Sequence, residues 1–157
     1  IPGDAEQLSF PSGQDLIVSC SALQWFVSPE QFFKRCNALL SGHGYFAFST
    51  FGKENLKEIA AVTGSGLHYY SLEELKKSLS MHYNIVTAGE ERIRLTFATP
   101  LDVLYHLKHT GVTAVCRQAW TKGDLQEFCD KYAKLFSCGN AVTLTYHPLY
   151  IIARKKP

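Results

Sequence analysis

Three groupings of side chains in this 157-residue chain have the types and spacing for chemistry. The first lies in the run D-L-I-V-S-C-S-A-L-Q-W-F at 15–26, which sets Ser19, Cys20, Gln24 and Trp25 close together. A flat apolar side chain such as Trp25 can form the wall of a pocket, and one amide, Gln24, can orient a polar group held there. The plainer reading packs Trp25 and Phe26 under the next helix, and makes Cys20 a small buried hydrophobe. The second grouping is His106 and His109, one helical turn apart, with Lys108 between them and Arg117 beyond Gly111. The histidine spacing suits a metal or a phosphate, and equally two exposed residues on an amphipathic helix. Lys108 and Arg117 are cations that a carboxylate-bearing ligand would need, or else solvated surface charges. The third is Tyr146 and His147 on one strand, where alternation sends one side chain to each face. His147 is a general-base candidate.

These residues need elements to hold them. Residues 15–22 are a continuous apolar run, which suits a strand buried on both faces of a parallel sheet. Ser28 as N-cap and Pro29 at the first helical position open a helix. Phe32, Phe33, Cys36, Leu39 and Leu40 recur along it, and Gly42 and Gly44 stop it. A second apolar strand follows at 45–51, completing a parallel crossover unit. Further helices are expected at about 54–62, 71–80 behind the Ser71/Glu74 capping box, 99–110 and 121–136. Strands are expected at 82–88, 91–97 and 142–153, the last broken or bulged at Pro148. Ala88-Gly89 reads as a turn or a bulge, and the sequence does not decide between them. The whole is read as one domain, residues 1–157.

Composition narrows the classes. The chain is 46% hydrophobic and 13% aromatic, with a formal net charge of +2. That argues for a folded core, and against nucleic acid or a membrane surface as partner. No apolar run reaches the ~20 residues of a membrane-spanning helix. The five cysteines show no C-x-x-C spacing, the usage of a reduced, cytoplasmic protein.

Several segments together resemble a known family. They are G-D-A-E at 3–6, A-L-Q-W-F at 22–26, F-A-F-S-T-F-G at 46–52, S-L-E-E-L at 71–75, H-L-K-H-T-G-V-T-A at 106–114 and L-T-Y-H-P-L-Y-I-I-A-R-K at 144–155. The pattern resembles the Rossmann-like S-adenosylmethionine-dependent methyltransferases, and within them the malonyl-acyl-carrier-protein O-methyltransferases of biotin synthesis. G-D-A-E is general to the larger class; the other segments are more specific. The family's Gly-rich loop and its ribose-binding acidic residue are missing. The resemblance therefore implies the C-terminal portion of such an enzyme, inactive by itself, and Ile1 in place of an initiator Met fits that expectation.

The resemblance implies an α/β fold: the C-terminal portion of a mostly parallel sheet with an antiparallel edge strand, and a helical insertion before the last strand. It implies S-adenosylmethionine as cofactor, with Asp4 accepting from the adenine amino group, the Ala5 N–H on the ring, and Ser19 and Cys20 near the reactive end. It places Gln24 and Trp25 on the substrate rim, with Arg117, Lys108 and Tyr146 as further substrate contacts. No metal and no covalent intermediate are expected. The implied acceptor is the free carboxyl of a malonyl thioester on acyl carrier protein or coenzyme A. An open sheet edge is expected where upstream strands belong, and with it self-association of the isolated chain. Alternatives are another small-molecule carboxyl methyltransferase of the same fold, or a non-catalytic carrier-protein docking module.

Overall fold

The alternating aliphatics at the start of the chain build strand β1, Gln14–Cys20, and a 3-10 turn follows at Leu23–Trp25. Helix α1 is Pro29–Leu39, with Phe32, Phe33 and Cys36 buried. Strand β2, Leu40–Phe51, starts on the very next residue, parallel to β1. Helices α2 (Lys57–Thr63) and α3 (Leu72–Leu79) come next, then β3 (Tyr83–Glu90) and β4 (Ile93–Phe97). After them run α4 (Pro100–His109), α5 (Lys122–Phe136), β5 (Ser137–Cys138), β6 (Ala141–Tyr146) and β7 (Pro148–Lys155). This computed structural model describes residues 3–112 and 120–157.

Contacts group the described chain into two units. The first runs to Lys53 and takes in His68–Glu91 and the residues from Pro148 onward; the second is Glu54–Leu67 with the described part of Arg92–His147. In the first unit four strands stand in the order β1-β2-β7-β3. β1 and β2 are parallel, and β7 is antiparallel to both β2 and β3. The α/β mixed sheet is as expected, but the antiparallel strand lies one place in from the edge. The reason is that β7 supplies ladder partners on both sides, Phe46↔Ala153 to β2 and Ile85↔Ala153 to β3. One face of this sheet carries the core: Phe46, Phe48, Tyr83, Ile151 and Ala153 pack with Phe33 of α1 and Leu75 and Leu79 of α3. The Tyr83 hydroxyl, buried there, donates to the Phe33 carbonyl at 2.8 Å.

The second unit is more than a helical insertion. A small antiparallel sheet, β4-β6-β5, packs α2, α4 and α5 around Ile59, Val103, Leu107, Tyr132 and Leu144. The expected last strand at 142–153 is two strands in two sheets, parted at His147/Pro148 because proline cannot continue the ladder of β6. Three helices begin with reciprocal caps, Ser71/Glu74, Thr99/Asp102 and Thr121/Asp124, each closing two orphan backbone N–H groups.

Local expectations are corrected at three points. Gly42 and Gly44 do not stop α1; they sit in β2, where Gln14 pairs Leu40 but Leu16 already pairs Tyr45. The extra residues of β2 form a bulge, and a Cβ on Gly44 would lie 2.8 Å from the Gln14 carbonyl. Ala88 and Gly89 are neither turn nor bulge but paired residues of β3; the register slips earlier, between Ile85 and Thr87. Ser28 stands at the N-cap of α1 without a side-chain cap bond.

Candidate functional site

Ligands of open α/β sheets sit beyond the carboxyl ends of the parallel strands. Here β1 ends at Cys20, and Ser21 turns the chain at φ 50°, a left-handed conformation for a non-glycine residue. Its N–H donates to the Ser49 carbonyl at 2.9 Å, which ties the bend to β2. The Leu23–Trp25 turn follows at once. Leu23 is buried, and Trp25 is 52% exposed. The bulky pair at the strand end is therefore divided: Phe26 packs edge-on to Phe32 at 4.6 Å, while Trp25 faces out. Packing under the helix describes Phe26 and not Trp25.

Gln24 is fixed at both ends of its amide. Its Nε2 donates to the Ser21 carbonyl at 2.5 Å, and its Oε1 accepts from the Thr50 hydroxyl at 3.1 Å. A ligand carbonyl would compete only for the second N–H. Ala5 and Ser19 line one cavity of about 290 Å³ between β1 and α1, walled otherwise mainly by apolar side chains and the Arg35 guanidinium. Asp4 is exposed, and its Oδ1 accepts from the Glu6 N–H at 2.8 Å in an Asx turn. Cys20 is exposed rather than a buried hydrophobe. Cys36 takes that part, its thiol pushed up to about 12 by burial.

The residue types fit an adenosyl group. An exposed carboxylate suits an exocyclic amine, and Ala5 and Ser19 open on one cavity.

Two further side chains matter here that sequence spacing did not single out. The Glu6 carboxylate accepts from the Val27 and Ser28 N–H groups, both at 2.8 Å, so it holds the backbone of the N-cap residue and of the one before it. Arg35 donates to the carbonyls of Ala5, Glu6 and Leu8. Neither carries a local signal: Glu6 meets backbone N–H groups 21 and 22 positions away, and Arg35 meets backbone carbonyls 27 to 30 positions away.

The remaining candidates belong to the second unit. Lys108 is exposed on α4, and Arg117 lies outside the described residues. Tyr146 is half-buried with its hydroxyl 3.0 Å from His106 Nε2, and burial holds that phenol above its usual range. His106 is thus engaged with Tyr146, and among the described residues no three His, Cys, Asp or Glu side chains gather for a metal. His147 is 3% exposed; its Nδ1 accepts from the Glu54 N–H at 3.1 Å and its own N–H donates to Asn55. Glu58, also buried, takes the N–H and hydroxyl of Thr145 at 3.0 and 2.6 Å. This polar set secures the start of α2 to β6. No described helix is long and apolar enough to cross a membrane.

The order β1-β2-β7-β3, with one antiparallel strand inside a sheet otherwise parallel, defines a Rossmann-like methyltransferase fold. The structure superposes on a solved candidate methyltransferase of Bacillus halodurans with a TM-score of 0.65 at 16% identity, covering 99% of this chain and 70% of that one. A family model for a methyltransferase domain matches residues 1–48. In sequence the chain is 56% identical, over 99% of its length, to the malonyl-[acyl-carrier protein] O-methyltransferase of Bacteroides thetaiotaomicron. It is 58% identical, again over 99%, to the protein of the same name from Bacteroides fragilis. The chain spans 64% of the first relative's length and 32% of the second's.

Proposed function

We propose that this chain is part of an S-adenosylmethionine-dependent O-methyltransferase that esterifies the free carboxyl of a malonyl thioester on acyl carrier protein, in biotin synthesis. The observation that carries the reading is identity above one half, sustained over 99% of the chain, to two proteins of that name. The rim geometry agrees with it: an anchored amide at Gln24 beside an outward-facing indole at Trp25.

The cofactor supplies an electrophilic methyl group. A malonyl carboxylate is ionised near neutral pH and is itself the nucleophile, so no side chain has to remove a proton. The protein's part is alignment and exclusion of water. Asp4 and Ala5 are the proposed adenine contacts, and Ser19 and Cys20 the residues beside the reactive end. Gln24 and Trp25 are the proposed acyl contacts. Lys108 and Arg117 are the candidate cations for the substrate carboxylate, and Tyr146 a further candidate contact; each is to be tested by its own substitution. Acyl carrier protein is acidic, which suits exposed cations such as Lys108. Coenzyme A as the carrier, the alternative thiol, would lack that protein surface. The reading carries with it a cytoplasmic setting, where the four described thiols stay free.

The 157 residues taken alone are proposed to be inactive and to self-associate. β1 pairs only with β2 among the described strands, and Leu16 and Val18 are 56% and 58% exposed.

Trp25 tests the reading. In the complete enzyme, Trp25→Ala should lower kcat/KM for the malonyl thioester about tenfold or more, loss of an apolar contact worth ~1.4 kcal/mol or more. Tm should hold, because the indole is half-exposed. Unchanged kinetics with a lowered Tm would make Trp25 a packing residue and remove the rim from the substrate site.

A further inference from the structure

The least expected contacts in the first unit lie at its amino-terminal end. Residues 4–8 form a compact turn, with the N–H groups of Gln7 and Leu8 both donating to the Asp4 carbonyl, at 3.0 and 2.9 Å. Two charged side chains fasten this turn to α1. Arg35, half-buried on the helix, takes the carbonyls of Ala5, Glu6 and Leu8 in its planar fork. Glu6 reaches the other way, its two carboxylate oxygens each accepting one N–H, from Val27 and Ser28. Val27 is two residues beyond Trp25. Charge-assisted bonds of this kind are stronger than neutral ones, and here they hold backbone rather than another side chain.

The geometry points to Glu6 and Arg35 as a positioning clamp. It fixes the Asp4–Ala5 segment against α1 and ties it, through Val27 and Ser28, to the loop that presents Gln24 and Trp25. Glu6 need touch no ligand, while Arg35 also walls the cavity on which Ala5 and Ser19 open. The clamp sets where the Asp4 carboxylate and the Ala5 N–H point, and it transmits their position to the rim. This inference rests on the functional reading above, in which Asp4 and Ala5 meet the cofactor.

The two proposals separate in one experiment on the complete protein, with S-adenosylhomocysteine as the calorimetric probe. Glu6→Gln keeps shape but offers one acceptor oxygen where two N–H groups wait; Arg35→Lys keeps charge but loses the fork. Both variants should weaken S-adenosylhomocysteine binding about tenfold, Arg35→Lys less than Arg35→Met. The KM for S-adenosylmethionine should rise while kcat at saturation stays within about twofold. A clamp that served stability alone would lower Tm and leave the dissociation constant of the folded protein unchanged. Wild-type binding together with unaltered binding by Glu6→Gln and Arg35→Lys overturns the clamp and leaves the functional reading standing. No binding by the wild type overturns both.

Discussion

The two faces of the four-stranded sheet differ more than their sequences do. On one face Ile17, Phe46, Phe48, Ile151 and Ala153 lie beneath α1 and α3, with Phe46, Ile151 and Ala153 wholly buried. On the other, Leu16, Val18, Tyr45, Tyr150 and Ile152 are between 38% and 58% exposed. The same strands supply both sets, at alternate positions. An apolar run states that a strand can be buried twice over; it does not state what buries it. Large contiguous apolar faces mark surfaces meant to be covered, and on the proposed reading the cover lies in the rest of the enzyme.

Core truncation should show the difference most strongly. Phe46→Ala removes a fully buried ring and should cost about 3–5 kcal/mol in urea unfolding. Val18→Ala, one strand away on the open face, should cost about 0.5 kcal/mol or less at concentrations too low for the isolated chain to associate. Similar losses at the two sites would mean that the open face is covered in solution. Gly44→Ala comes next, at about 1–3 kcal/mol, since the new methyl meets the Gln14 backbone carbonyl across the bulge. A neutral result there would show that the strands can part without cost. Val18→Lys should turn a self-associating 157-residue chain into a monomer by sedimentation; identical sedimentation of the two would take the open face out of any association.

The smallest effect is electrostatic, on the covered side. Glu74 pairs with Lys53 and caps α3 through Ser71, and those hydrogen bonds, Lys53 first, bring its carboxyl down to about 2. A carboxylate depressed in the folded state stabilises above its unfolded value of about 4.5 and loses that contribution as pH falls toward 2. Glu54, held down to about 2 chiefly by Arg92 and then Lys57, acts in the same direction. The contribution of these two carboxylates should be constant above about pH 5, and stability should decline below it, less steeply in Glu74→Gln. An equally steep decline in that variant would show that the cap is not coupled to unfolding. Both carboxylates are solvent-exposed, so the slope should be shallow.

What the sequence made legible was mostly local. Ser71 and Glu74 announce their cap because both halves lie within four residues, and Pro29 opens α1 for the same reason. The parallel crossover from β1 through α1 to β2 followed from the order of apolar periods. The place of β7 inside the sheet did not, because a strand's partners are a property of the whole chain. The bulge at Gly42 and Gly44 has the composition of a helix stop, and only the register between β1 and β2 tells them apart. In the candidate site, Gln24 and Trp25 were visible as types out of place at a strand end. Arg35 was not, since its carbonyl partner on Glu6 is 29 positions away and any residue supplies a carbonyl. Pairing of His106 with Tyr146 likewise waits on two elements folding together.

The most direct measurement is methyl transfer by the complete protein, from S-adenosylmethionine labelled in its methyl group, to acyl carrier protein loaded with either malonyl or acetyl groups. The account predicts label on the malonyl carrier as a base-labile methyl ester and none on the acetyl carrier, which has no free carboxyl. Equal labelling of the two, or none on the malonyl carrier at saturating cofactor, would contradict it.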